Sequence, residues 1–460
     1  MFDFYADDTI VAVSTPPGTG AIGIVRLSGP RARTIAARIF SPRTGRTRNF
    51  PERKAVFGSI RDGAARDILD EGFLLFFPAP RSYTRQDVIE ISLHGSTAVL
   101  EEVVRLAVKA GARPAHPGEF TLRAYCSGRL DILQAEAVDD LVRAVTLDQA
   151  RIASRQVRGG LTDTIGLLRT GFIELLAELE AAIEFPDDRM GVDERTVLDR
   201  LDAMALRLKE LIESYETGKA LSEGLTLAIV GKANVGKSTL FNALLGESRA
   251  IVAPDAGTTR DYLSERLRFE GTVFRLVDTA GLGRAETAIE REGIKRSLEQ
   301  ADRADGIIFV FDRSRPASAA DRNLLDRFRG KKAILAFNKC DRPSRIDRAA
   351  LKRRLSGGPA AAVSALTGAG LPGLRRLIRE VFTPKTDAEG DVIMHLRQKL
   401  ILEEMAARVA EGRRLLGRGE TFEIAAEEIR QVLPAAERLL GGIPTDEVME
   451  NVFSRFCVGK

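Results

Sequence analysis

The segment Gly231-Lys232-Ala233-Asn234-Val235-Gly236-Lys237-Ser238 constrains this chain more than any other, because a G-x-x-x-x-G-K-S loop is useful only between a strand and a helix. Both neighbours are present. The apolar run LTLAIV ends at the first glycine, and Ser238 leads into the helix-patterned Thr239-Leu240-Phe241 stretch. The glycines let the backbone wrap so that its N–H groups face phosphate oxygens, and the helix N-terminus adds partial positive charge. Lys237 would reach the β- and γ-phosphates of a nucleotide. The Ser238 hydroxyl would ligate the Mg²⁺ that bridges them.

From Leu225 onward, β-rich runs LTLAIV, VFRLV, GIIFVF and AILAF alternate with helical patterns, which predicts an α/β domain with a mostly parallel sheet. Ligands of such sheets bind at the carboxyl ends of the strands. Asp278-Thr279-Ala280-Gly281 follows VFRLV; Asp278 would support the Mg²⁺ from behind its ligands, and Gly281 can offer a backbone N–H to the γ-phosphate. Asn338-Lys339-Cys340-Asp341 closes AILAF. Asp341 can accept from guanine N1–H and its 2-amino group, a donor pair that adenine lacks, so GTP is preferred over ATP. Ser364-Ala365-Leu366, after AAAV, would bring a backbone N–H to guanine O6.

Four motifs in this order resemble the TRAFAC-class GTPases, and Gly257-Thr258-Thr259-Arg260-Asp261 resembles their TrmE-Era-like branch. The resemblance implies that Ala253, Pro254, Asp255, Ala256, Gly257 and Thr258 also line the nucleotide and that Thr259 completes the Mg²⁺ ligands. Leu282 stands where Ras-like enzymes carry a water-orienting glutamine. Asn234 is the residue type of potassium-dependent members, in which K⁺ is also held at the positions of Ala253, Asp255 and Thr258. Glu290 matches the glutamate that arranges the attacking water indirectly, as a catalytic residue.

At 460 residues the chain exceeds what one core usually supports, so several domains are expected. Residues 1–119, with TIVAV, AIGIVRLSG, FLLFF and DVIEISLHG between turn signals, read as an α+β domain. In 120–222, Ile165, Leu168, Phe172, Leu175 and Leu179 recur at helical spacing, as do Val197, Leu201, Met204 and Leu208. FPDDRMGVDE between them reads as a loop. Helical periodicity returns in 383–460, so an α/β domain over 223–382 interrupts a helical one. No apolar run can span a bilayer, and the acidic start MFDFYADDTI lacks the basic region of an export signal. A cytoplasmic location is expected. Three scattered cysteines argue against a disulfide framework, and 69 basic against 65 acidic residues permit an RNA partner without demanding one.

The whole chain resembles the MnmE (TrmE) family of tRNA-modification GTPases through TPPGTGAIGIVRLSG, ARPAHPGEFTLRA, LDILQAEAV, GTTRD and FCVGK. That resemblance implies a homodimer formed through the N-terminal domain and a heterotetramer with the FAD-dependent protein MnmG. Together these add a 5-carboxymethylaminomethyl or aminomethyl group to the wobble uridine of certain tRNAs. The one-carbon donor is 5,10-methylene-tetrahydrofolate, or the 5-formyl form. Arg26 in GIVRLSG, Glu90 in DVIEIS, Arg129 in CSGRLD and Lys460 would contact the folate, and Cys457 would act catalytically beside it. Relatives often carry lysine at the position of Arg129, which keeps charge and changes geometry. The competing expectations are an Era-like switch in ribosome assembly and a folate-dependent one-carbon enzyme that GTP only regulates. The first predicts a G-x-x-G clamp, a spacing absent from residues 383–460.

Overall fold

The protein is described by a computed structural model, covering residues 8–44, 50–61, 67–184, 193–222, 224–246, 264–269, 272–278, 295, 298–355, 357–383, 390–442, 449, 452–454 and 456–460. The chain forms two compact units. The first comprises Met1–Arg143, Ala153–Leu208 and Leu400–Lys460; the second comprises Ala144–Ile152 and Lys209–Lys399. The second unit therefore extends beyond residues 223–382 at both ends. Ser214 Oγ accepts from the Ile393 N–H at 3.1 Å, and Gly218 lies against the Ile393 carbonyl so closely that a Cβ there would come within 2.0 Å.

In the first unit the strands β1 (Ile10–Val13), β2 (Gly20–Ser28), β3 (Phe40–Pro42), β4 (Val56–Arg61), β5 (Ile68–Phe77), β6 (Val88–Gly95) and β7 (Arg113–Pro114) form one sheet in the order β3-β4-β5-β6-β2-β1-β7. Pairing is antiparallel except between β1 and β7. Alternation along the strands sorts the residues by face. Val25, Leu27, Leu74, Phe76, Ile89 and Ile91 pack on the helices α1 (Ala32–Ile39) and α2 (Thr97–Lys109) through Ile35, Leu100 and Val103. The other face carries Ile22 (64% exposed), Phe73 (49% exposed) and the cross-strand pair Arg26 and Glu90.

The same unit contains α3 (Glu119–Cys126), α4 (Ile132–Arg143) and α6 (Gly160–Glu184), with α5 (Leu147–Val157) lying across the division of the units. The α6 helix buries Ile165, Leu168, Phe172, Leu175 and Leu179 along one stripe. It packs against the helices Phe422–Arg430 and Val432–Leu440 from the far end of the sequence. Arg430–Glu180 at 2.8 Å and Arg169–Glu437 at 3.0 Å accompany that packing. The helical segments on either side of the α/β part thus share a core, which periodicity alone could not show. The stretch between α6 and α7 (Glu194–Ser222) lies, but for Asp193, outside the described residues.

The second unit holds β8 (Leu225–Val230), β9 (Ser264–Phe269), β10 (Thr272–Asp278), β11 (Gly306–Asp312), β12 (Ala333–Asn338) and β13 (Ala360–Ala362), ordered β13-β12-β11-β8-β10-β9. All pairs are parallel except β9 with β10. Both faces are buried, which explains the unbroken apolar runs. Leu227, Ile229, Ile308, Val310, Ile334 and Ala336 face one cluster, with Leu240 and Ile378. Ala228, Val230, Ile307, Phe309, Leu335 and Phe337 face the other, with Leu325 and Phe328. The expected α/β domain with a mostly parallel sheet is present, beside an α+β and a helical part.

Candidate functional site

Val230 leads directly into the phosphate loop, and α8 (Lys237–Gly246) begins at its lysine. Gly231 lies so close to β11 that a Cβ would come within 2.5 Å of the Val310 carbonyl. Gly236 has φ +96°, and a Cβ there would meet the Asn338 amide at 2.3 Å. Asn234 sits at φ +64°, a left-handed conformation that asparagine tolerates better than most residues. These conformations turn the loop into a concave nest at the helix N-terminus, where backbone N–H groups collect oxyanions. Lys237 is 6% exposed, and its Nζ donates to the Lys232 carbonyl at 2.9 Å. Ser238 and Thr239 are exposed in the first turn of α8. A hydroxyl at that point suits Mg²⁺ carried by nucleotide phosphates, since Mg²⁺ takes few protein ligands.

The motifs expected to read guanine fold beside the loop. Asn338 is 2% exposed; its Nδ2 donates to the Val235 carbonyl at 2.8 Å, and its Oδ1 accepts from the Ala365 N–H at 2.9 Å. One amide thus ties the phosphate loop to the Ser364-Ala365-Leu366 turn. That turn is closed by Ser364 N–H to Ala369 and Gly368 N–H to Ser364. Leu366 is 81% exposed, and the Cys340 N–H is held by the Val363 carbonyl at 2.9 Å. Lys339, itself at φ +64°, donates to the Asn234 carbonyl at 2.9 Å and to Asp312 Oδ2 at 2.6 Å. Asp341 accepts from the Ser364 hydroxyl, which holds its carboxyl below the ordinary range and keeps it an acceptor.

Three residues that sequence reading passed over support this loop. Burial pushes the Asp312 carboxyl up, yet hydrogen bonds from Lys339 and Ser314 outweigh it and leave the group below its ordinary value. Its signal was available, because Asp312 ends a central strand on the edge that also holds Asp278 and Asn338. Lys232 reaches Ser318 Oγ and lies 3.4 Å from Asp321 Oδ2. Ser318 and Asp321 form a capping box on the helix Ala319–Arg327, so Lys232 ties the loop to that cap. No local pattern marks that pairing.

Asp278 ends β10 opposite Ile229, so its backbone stands at the expected sheet edge. Ala253, Pro254, Asp255, Ala256, Gly257, Thr258, Thr259, Thr279, Ala280, Gly281, Leu282 and Glu290 lie outside the described residues, as does the Asp278 side chain.

The other expected residues gather in the first unit. Arg26 meets Glu90 at 2.7 Å, with both of its contacts on Oε1, and its Nη1 reaches the Gly459 carbonyl at 3.3 Å. The tail is seated by an antiparallel bridge between Pro117 and Val458 and by the Phe120 N–H on the Lys460 carbonyl. Gly459 has φ +100°, and a Cβ there would come within 2.2 Å of the Val13 carbonyl. Burial and the nearby Arg26 charge push the Lys460 amine down. Arg129 lies over the Tyr83 ring at 4.6 Å, and Arg26 lies 6.0 Å from the same ring. Tyr83, a residue without a sequence signal, therefore joins them; its hydroxyl bonds Thr121 at 2.9 Å, and burial pushes its pKa up. Cys457 is exposed in the tail.

Comparison with known proteins matches the chain in two segments. The family model for the GTP-binding protein TrmE N-terminus matches residues 9–129, and that for the MnmE helical domain matches residues 132–457. A tRNA modification GTPase MnmE of Thermotoga maritima is 38% identical over 98% of this chain and all of its own length. One from Geobacter metallireducens is 38% identical over 99% of this chain and all of its own. Among solved structures, the G domain of the T. maritima FeoB iron transporter aligns at 31% identity with 34% of this chain and 98% of its own, with a TM-score of 0.27. The nucleotide site is identified by its own loop geometry, and with the full-length likeness it makes the chain a GTP-hydrolysing enzyme. The chain belongs to the MnmE (TrmE) family of tRNA modification GTPases.

Proposed function

We propose that the chain couples GTP hydrolysis to modification of the tRNA wobble uridine, as a cytoplasmic homodimer in a heterotetramer with FAD-dependent MnmG. The product is the 5-carboxymethylaminomethyl or aminomethyl group, and its carbon comes from a tetrahydrofolate one-carbon unit. One observation carries the reading: a complete phosphate loop tied by Asn338 and Lys339 to the guanine-reading motifs, in a chain alike to MnmE over its whole length. The proposed layout is an N-terminal domain over 1–119, helical parts over 120–222 and 383–460, and a G domain over 223–382. Ile22 and Phe73, exposed on the outer sheet face, support pairing of two copies there.

Lys237 would hold the β- and γ-phosphates while Ser238 and Thr259 hold Mg²⁺, and the loop amides would take up charge as the γ-phosphoryl departs. Glu290 would orient the water. In the folate site, the Glu90 oxygen turned from Arg26 can accept from a pterin N–H, and Arg129 and Lys460 can meet the anionic tail. Tetrahydrofolate would supply the one-carbon unit, and Cys457 would move a proton or attack beside it.

The test is nucleoside mass spectrometry on undermodified tRNA incubated with this chain, MnmG, FAD with a reductant, methylene-tetrahydrofolate, GTP, Mg²⁺, K⁺ and glycine or ammonium. Modified uridine appearing only with GTP supports the reading. Its absence, with both proteins folded and binding their ligands, returns the chain to the ribosome-assembly switch.

A second expectation concerns the cation. Leu282 cannot orient water as a glutamine would, and Asn234 is held in a left-handed turn at the phosphate loop. A K⁺ ion held by Asn234, Ala253, Asp255 and Thr258 would supply the missing positive charge. Hydrolysis should then run roughly tenfold or more faster in K⁺ than in Na⁺. Equal rates at saturating GTP would exclude it.

A further inference from the structure

Beside Tyr83, on the side of Arg129, the N-terminal domain opens a cleft of about 480 Å³ lined by Arg53, Arg81, Arg85 and Arg129. Four guanidinium groups around one opening repel one another, and proteins ordinarily offset such a cluster with carboxylates. Here only Arg81 has one, Glu52 at 3.0 Å. Among the described residues, Arg53, Arg85 and Arg129 make no carboxylate contact; each instead donates to a backbone carbonyl. The Arg85 Nη1 donates to the Ser127 carbonyl at 2.8 Å, the Arg129 Nη1 to the Tyr83 carbonyl at 2.9 Å, and Arg53 to the Arg81 carbonyl. Such bonds fix a guanidinium in place without neutralising it, and its other N–H groups remain for an oxyanion.

The backbone points the same way. Arg53 has φ +54° and Arg85 φ +59°, left-handed conformations that glycine adopts without steric cost and arginine does not. A long cation kept at two such positions, facing one cleft, is unexplained by packing, because all four arginines are exposed. Tyr83 and Phe77 supply an aromatic wall, and Arg129 stacks on Tyr83.

We propose that this arginine cleft docks phosphate groups of the RNA backbone through Arg53 and Arg85, with Arg129 committed to the folate tail. Arginine's planar fork suits phosphate, and fixed cations spread over an open cleft suit a chain of regularly spaced phosphodiesters better than a single enclosed anion. The proposal rests on the reading that the substrate is tRNA, and it places part of that substrate beside the Arg26, Glu90 and Arg129 cluster.

Binding of unmodified tRNA to the full chain, followed by fluorescence anisotropy across a KCl series, tests it. Arg53→Gly with Arg85→Gly removes two cations and suits the left-handed backbone, so the fold is spared. Unchanged GTP turnover and melting temperature confirm that. The double variant should bind tRNA roughly 10–100-fold more weakly, and the slope of log K against log salt should become shallower by about 1.5. Arg85→Lys, with Arg53 intact, should retain most of the slope. If wild type binds tRNA and the double variant matches it in affinity and slope, the cleft is not the RNA site, while the tRNA reading stands. If the double variant loses affinity for poly-γ-glutamate and none for tRNA, the cleft serves a carboxylate chain and the proposal falls. If wild type binds no tRNA, the proposal falls, and the nucleoside assay decides whether the tRNA reading falls too.

Discussion

Lys237→Ala will lower GTP turnover by roughly a hundredfold or more, measured as phosphate release at saturating GTP. The amine is buried at the centre of the phosphate loop and bonded at 2.9 Å to the Lys232 carbonyl, so it reaches ligand already desolvated and aimed. A cation so placed gains strength as charge shifts onto the departing phosphoryl group, and removing one preorganised donor of that kind costs about 3–4 kcal/mol of transition-state stabilisation. The glycines and helix N-terminus that form the nest are untouched, so the variant should still fold and retain weakened nucleotide binding. Lys237→Arg should fail as well, since a planar fork does not fit a site built around a compact ammonium. Turnover within fivefold of wild type would mean that the loop binds phosphate without taking part in its transfer.

The second large effect is on base selection. Asp341→Asn should weaken GTP binding by roughly a hundredfold or more while xanthosine triphosphate improves, read by displacement of a fluorescent GDP analogue. The Ser364 hydroxyl lowers the Asp341 pKa further below the ordinary carboxylate range, and the ionised group presents acceptors only. Guanine meets acceptors with two N–H donors; an asparagine amide sets a donor against one of them, which sacrifices a charge-assisted bond and leaves a polar group of the base without its partner. Xanthine has a carbonyl where guanine has its 2-amino group, and the amide satisfies it. Unchanged affinities for both nucleotides would move base recognition to another residue.

Much of the nucleotide site could be read from the sequence because phosphate binding makes demands on single residues. Gly236 is compelled twice over, by its φ of +96° and by the Asn338 amide 2.3 Å from where a Cβ would lie, and such positions spell out motifs. The supports around the loop could not be read so. Lys232 and Asp321 are ordinary surface-type charges 89 positions apart, and only the fold makes them neighbours. Periodicity found the stripe of α6 and could not name its partner, since a buried stripe fits any apolar face; the Arg430–Glu180 pair shows which face it is. Tyr83 gave no signal because an aromatic in a loop is common, and its role comes from the two arginines against its ring. The second unit's extension past residue 383 was hidden for a similar reason: the Ser214 contact with Ile393 has no sequence pattern.

Lys339 has a consequence for how long nucleotide stays. Its amine spans the Asn234 carbonyl of the phosphate loop and the Asp312 carboxylate, while Asn338 beside it clasps Val235. The motifs expected to hold the two ends of the nucleotide therefore form one cross-braced ring rather than independent jaws. Loosening either end should then slacken the brace on the other, so base and phosphates are expected to leave together. Breaking the single Lys339 strut should therefore shorten the stay of base and phosphates alike.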